Sequence, residues 1–130
     1  MDEKLNYLLD TCILIDYLRG EESVYDLLVK SENIKLSMST ITMMELIIGA
    51  FNKREVNYIQ KAFKNIDIIY VDGDISKLAE DLVVQFSKSH NLQIDDALIA
   101  ATSIKSDIEL ITYNTSDFRF IPDIKLYQFS

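Results

Sequence analysis

Four acids of this chain stand where an ordinary surface charge would not be placed. Asp10 ends the apolar run Leu5-Asn6-Tyr7-Leu8-Leu9. Glu45 is the only charged residue between Lys35 and Lys53, and at helical spacing it shares a stripe with Ile41, Met44 and Ile48. Asp96 precedes Ala97-Leu98-Ile99-Ala100-Ala101, a stretch without charge until Lys105, and Asp117 follows Asn114 by three residues. Each has a plain explanation. Asp10 suits an N-cap, and Asp96 (or its neighbour Asp95) complements a helix dipole. Asp117 fits a turn, and Glu45 fits an exposed helix end or a lysine partner. Taken together they suggest chemistry. A carboxylate on a core-facing helix stripe must pair, protonate or bind a cation. Several carboxylates gathered at one sheet edge repel one another unless a cation sits among them. All-oxygen ligands suit Mg²⁺ or Mn²⁺, which act on phosphate groups.

The elements that must position these acids follow from periodicity and punctuation. Residues 5–9 read as a buried strand, followed by a cap at Asp10-Thr11 and helical spacing through Ile13, Leu14, Tyr17 and Leu18 to Gly20. Glu21 to Lys30 reads as a helix with Val24, Leu27 and Leu28 inward, and 34–38 as a strand. Ser39 or Thr40 caps an apolar helix to about Phe51, Lys53 to Lys64 is amphipathic, and Ile66 to Val71 is strand-like. Asp74 is expected to cap a helix reaching His90, and Asp95 or Asp96 to open another over Ala97 to Lys105. Glu109 to Thr112 reads as a strand, Asn114 to Asp117 as a turn or short helix, and Ile124 to Phe129 as a last strand. Strands alternating with helices predict a three-layer α/β/α fold around a mostly parallel sheet. In such sheets ligands bind just beyond the carboxyl ends of the strands, where Asp10 falls.

Composition narrows the function further. A chain of 130 residues with 48% apolar and 26% charged side chains predicts one domain with a real core. One cysteine, Cys12, supports neither an intrachain disulfide nor a cysteine zinc cluster and fits a reducing cytoplasm. One histidine, His90, means that a Ser-His-Asp site uses it or does not exist. Three scattered glycines exclude a phosphate-cradling loop. Met1-Asp2-Glu3-Lys4 is no basic leader, and no apolar run approaches the ~18–20 residues of a membrane span. The charge points the other way: 21 acids against 13 bases leave −8, an unpromising balance for a nucleic-acid partner.

The segment Leu8-Leu9-Asp10-Thr11-Cys12-Ile13-Leu14-Ile15-Asp16-Tyr17-Leu18-Arg19-Gly20 resembles the first motif of PIN-domain ribonucleases, specifically VapC-type toxins of bacterial and archaeal toxin–antitoxin pairs. Three later segments agree in order: 40–50 around Glu45, 94–101 around Asp96, and 110–118 around Asn114 and Asp117. The likeness spans residue 7 to about 126. It implies a PIN-like fold and a homodimer, with an acidic Mg²⁺ or Mn²⁺ pocket and RNA as substrate. It also implies a cognate VapB-like antitoxin as partner. Carried over by position, Asp10, Glu45, Asp96 and Asp117 match the acidic quartet. Thr11 matches a hydroxyl beside the first aspartate, and Asn114 a polar residue near the last. Cys12 and Tyr113 depart from it, where the family usually has asparagine and often arginine.

The implied reaction is metal-assisted phosphodiester hydrolysis leaving 5′-phosphate and 3′-hydroxyl ends, with Glu45 or Asp117 orienting the water. The competing readings are a non-catalytic PIN-like module that binds RNA or protein and an aspartate-nucleophile phosphatase. The phosphatase normally needs a second aspartate where this chain has Cys12. A response-regulator-like domain would likewise carry a labile phosphoryl group. An apolar stripe through Tyr17, Leu18, Tyr25 and Leu28 is core or partner surface. RNA recognition by exposed aromatics turns on which of Tyr7, Tyr58, Tyr70 and Tyr113 face solvent.

Overall fold

The computed structural model describes residues 5–21, 25, 28 and 30–129. Four strands form the sheet: β1 (Leu5–Leu9), β2 (Ile34–Ser39), β3 (Asp67–Ile69) and β4 (Glu109–Ile111). Among the described residues five helices have defined bounds: α1 (Thr11–Leu18), α2 (Thr40–Ile48), α3 (Lys53–Ala62), α4 (Gly73–Phe86) and α5 (Ile94–Ser106). A single 3₁₀ turn covers Thr115–Asp117. The strand order is β3-β2-β1-β4, and every pair is parallel.

This order makes β1 the pivot. From β1 the chain moves outward through β2 to β3, then crosses back to place β4 on the other side of β1. Alternation along the central strands feeds two separate cores. Leu8 and Leu110 pack with Ile75, Leu82, Ile99 and Phe118 beneath α4 and α5. Leu9 and Ile111 pack with Ile13, Met38, Ile59 and Phe63 beneath α1 and α3. Burial on both faces explains why β1 and β4 read as continuous apolar runs. The result is the expected α/β/α arrangement with an all-parallel sheet.

Several boundaries differ from the sequence reading, each for a local reason. Asp72, not Asp74, caps α4, its side chain accepting from the Ile75 N–H at 2.9 Å; Asp74 lies in the first turn. The helix stops at Phe86, short of His90, whose ring stacks on Phe120 at 4.3 Å. Strand β3 is only three residues long because the Ile66 N–H turns to Phe63 O and the Val71 N–H turns to Thr40 Oγ1. Residues 124–129 make one parallel bridge, Leu126 to Leu110, rather than a strand. Strand β4 ends at Ile111 before it can offer a second rung. The expected helix over 21–30 lies largely outside the described residues. Within it, Tyr25 and Leu28 are helical and buried, and Tyr17 packs edge-on against Tyr25. That stripe is core, apart from Leu18, which faces a groove. No helix among the described residues is long and apolar enough to cross a membrane.

The corrected cap is testable by thermal or urea unfolding. Asp72→Ala should cost about 1 kcal/mol of stability, through loss of a hydrogen-bonded N-cap. Asp74→Ala, which touches only the helix dipole, should cost less than half as much.

Candidate active site

The site grows from the way the sheet divides. Beyond the carboxyl end of β1 the connections run in opposite directions, toward β2 on one side and from β4 on the other. This topology opens a crevice between the ends of β1 and β4. The register sets Leu9 opposite Ile111, so the next residues, Asp10 and Thr112, become direct neighbours at the floor of that switch point. The Asp10 N–H still donates to Ile111 O at 3.0 Å, so the backbone is fixed as far as the acid itself.

Asp10 is buried, 5% exposed, and every contact it makes orients its carboxylate. Oδ1 accepts from the Thr11 N–H at 2.8 Å as the cap of α1. Oδ2 accepts from Thr112 Oγ1 at 2.7 Å and from Cys12 Sγ at 3.6 Å. Burial pushes the Asp10 carboxyl up, opposed by the hydrogen bonds from Thr112, Thr11 and Cys12. The Cys12 thiol is itself pushed up to about 11, chiefly by burial and then by the charge of Asp10. It therefore remains an S–H donor at neutral pH, supplying Asp10 with a contact at the position where the family usually has asparagine.

Glu45 arrives from α2, but not on the face its spacing suggested. The core-facing residues of that helix are Thr42 and Leu46, while Met44 and Ile48 are exposed. Glu45 lies between these faces, half-buried, and Thr11 Oγ1 donates to its Oε1 at 2.8 Å while standing 3.1 Å from Thr42 Oγ1. Burial raises the Glu45 carboxyl first, and the facing carboxyl of Asp95 raises it further. Asp96, on the first turn of α5, is raised to about 7 by burial and then by Asp95, Asp10, Asp117 and Glu45, in that order. The structure thus brings all four expected acids into one electrostatic neighbourhood, with Asp117 at its exposed rim.

Two contributors escaped the sequence reading. Asp95, taken there as a possible helix-dipole acid, is a fifth member of the cluster, and its Oδ1 also accepts from the Asp96 N–H at 2.9 Å. Thr112 is buried and holds Asp10, while its Oγ1 accepts from the Asn114 N–H at 3.0 Å. Its signal was its place: a hydroxyl just past an apolar strand, as Asp10 is just past β1. Asn114 takes part through its backbone; as the residue capping the 3₁₀ turn it makes no side-chain cap bond. His90 is exposed, with its ring against Phe120 and Ser89 Oγ.

No ion pair among the described residues neutralises the cluster. The pairs present join Lys35 to Asp67, Lys77 to Glu80 and Asp81, and Lys125 to Asp107. An unneutralised all-oxygen donor set fits a hard divalent cation by chemistry. Among the described residues the acids do not form a ready ligand cage, so the fit is one of donor type and charge.

The PIN domain family profile matches residues 7–122. This chain belongs to the PIN-domain family. It is 33% identical over 122 residues to a ribonuclease named VapC19 from Mycobacterium tuberculosis H37Rv, covering 91% of this chain and 96% of that protein. A toxin–antitoxin complex from Klebsiella pneumoniae contains a chain 32% identical to this one, with a TM-score of 0.74 and coverage of 91% and 94%. VapBC2 from Rickettsia felis, solved with a fragment of promoter DNA, superposes with a TM-score of 0.79 over 97% and 100% of the two chains. At 22% identity it speaks to the fold alone. The region matched to the PIN family contains every acid of the cluster.

The cluster's repulsion has a measurable sign. In the folded chain Asp96 holds its proton to about pH 7, against an ordinary value of 3.8. The folded state therefore binds more protons than the unfolded state between those values, and stability falls as pH rises through 7. In EDTA, wild-type thermal stability should drop between pH 5 and pH 8. Asp96→Asn should flatten that drop, ending about 1–2 kcal/mol more stable than wild type at pH 8 after allowance for solvent around a half-buried group. Equal pH profiles for the two proteins would refute the clustered geometry.

Proposed function

We propose that this PIN chain is a VapC-type endoribonuclease, the toxin of a VapBC-like toxin–antitoxin pair, hydrolysing RNA phosphodiester bonds at the β1–β4 crevice. The observation that carries the reading is the set of uncompensated carboxylates, Asp10, Glu45, Asp95, Asp96 and Asp117, collected in one neighbourhood around that crevice. Relatives named ribonucleases and structural neighbours solved as toxin–antitoxin complexes support it.

In this reading Asp10, Glu45, Asp96 and Asp117 hold Mg²⁺ or Mn²⁺. When bound, such an ion supplies Lewis-acid stabilisation of charge building on the phosphate and acidifies the attacking water. The protein's share is orientation. Thr112 and the Thr11 N–H fix both oxygens of Asp10, so that carboxylate loses no freedom when substrate arrives. Thr11 Oγ1 fixes Glu45, which with Asp117 is a candidate for orienting the attacking water. Asp117 is the one acid of the cluster exposed to solvent.

The toxin–antitoxin complexes among the structural neighbours support the partner reading, and a groove beside Glu45 gives it a place. This groove of about 650 Å³ between α1, α2 and α3 is lined by Ile15, Leu18, Glu45, Leu46, Tyr58 and Ile59. A VapB-like antitoxin segment lying in it would cover the acid, and with −8 on this chain that segment should be basic. We assign the whole chain to one domain that works as a homodimer in the cytoplasm.

Asp10→Asn tests the catalytic reading and separates it from a non-catalytic binding module. That variant should lose cleavage of a single-stranded RNA panel while keeping its circular dichroism and cooperative unfolding. EDTA should abolish wild-type cleavage, with Mg²⁺ or Mn²⁺ restoring it. Metal-independent cleavage, or full activity in the variant, would end the assignment.

A further inference from the structure

We infer that Tyr113 and Phe129 form a stacking platform for a base of single-stranded RNA at the mouth of the acidic crevice. The inference rests on the ribonuclease reading and adds how an acidic protein would hold its substrate. Tyr113 is 43% and Phe129 45% exposed, and their rings lie 5.8 Å apart at 29°, close to parallel. The pair is braced from behind. Phe129 stands edge-on to Tyr127 (5.2 Å, 87°), and Tyr127 edge-on to Tyr7 of β1 (5.4 Å, 81°). The backbone under Tyr127 is tied to β4 through its N–H to Leu110 O at 2.9 Å. An aromatic ladder rooted in the central strand thus ends in an exposed, fixed surface, so little order remains to be gained on binding.

Position ties this surface to the reaction. Tyr113 follows Thr112, whose hydroxyl lies 2.7 Å from Asp10, and its backbone N–H faces the Cys12 thiol. The ring is therefore carried by the same turn that holds the first acid. Tyr58 and Tyr70 are also exposed, but Tyr58 lies on α3 in the groove that Glu45 lines and Tyr70 just past β3, so neither is carried by the turn that holds Asp10. Charge supplies the second argument. The chain carries −8, and three of its 13 bases, Lys35, Lys77 and Lys125, are engaged with carboxylates of their own. A basic rail for phosphates is the usual source of RNA affinity, and it is strongly salt-dependent. Base stacking on aromatic rings needs no positive charge and tolerates any sequence.

The chain contains no tryptophan, so Tyr113→Trp creates a single fluorescent reporter. Placed in an Asp10→Asn background and titrated with fluorescein-labelled oligo(A) and oligo(U), the introduced indole should be quenched in step with the rise in RNA anisotropy. In cleavage assays Tyr113→Ala should raise KM roughly 5- to 100-fold with kcat within about twofold. Tyr113→Phe should restore the wild-type KM, and Phe129→Ala should shift KM in the same direction as Tyr113→Ala. RNA bound by anisotropy without quenching, or a wild-type KM in Tyr113→Ala, overturns the platform and leaves the ribonuclease reading standing. No metal-dependent cleavage of these strands by the wild type removes the ribonuclease reading and the platform with it.

Discussion

Repulsion among carboxylates gathered at one end of a parallel sheet is the constraint on which the rest of this structure turns. Folding forces Asp10 into a buried position and sets Glu45, Asp95, Asp96 and Asp117 around it. No lysine or arginine ion pair among the described residues relieves the crowding. The cluster is tolerable because its members are selectively solvated by the protein. Thr112, the Thr11 N–H and Cys12 stabilise Asp10 as an anion, while Asp96 stays protonated until about pH 7. What remains is a concentrated negative potential, poised for a cation and costly without one.

The fold supplies the crowding at little cost in packing. Two cores lie on the two faces of the sheet, with Leu8 feeding one and Leu9 the other. Consecutive side chains of one strand thereby clamp the peptide that carries Asp10. The strand on the other side of the crevice does the same with Leu110 and Ile111, delivering Thr112. The site's rigidity is thus borrowed from the apolar core immediately beneath it, where any shift would meet close-packed side chains. The polar contacts then refine a position that packing has already chosen.

The negative charge of the chain takes on a different meaning once it is located. Part of it is the cluster, where proposed divalent ions would neutralise it. Another part is spent in surface pairs such as Lys77 with Glu80 and Asp81, which add little stability. Without a bound cation neither part attracts phosphate, which leaves room for contacts whose affinity does not depend on charge. The aromatic ladder from Tyr7 to Tyr113, proposed to stack a base, is of that kind.

Much of this is legible in the residues alone. Alternating strands and helices announce a parallel α/β/α fold, because a parallel sheet needs helical crossovers and buries both faces. Asp10, Glu45, Asp96 and Asp117 stand out because each interrupts or abuts an apolar stretch, a purely local signal. Local signals also mislead. The stripe through Ile41, Glu45 and Ile48 reads as a buried face, yet the helix turns Thr42 and Leu46 to the core, since neighbouring helices decide which face is covered. Asp74 has the same capping chemistry as Asp72, and only backbone geometry chooses between them. Asp95 and Thr112 escape notice because their roles depend on Glu45 and Asp10, partners distant in sequence that face them only in the fold. The sequence by itself determined the kind of chemistry, through the side-chain types it sets beside apolar runs. Tertiary structure alone decided which of those groups meet, because electrostatic coupling depends on distance in space and not along the chain.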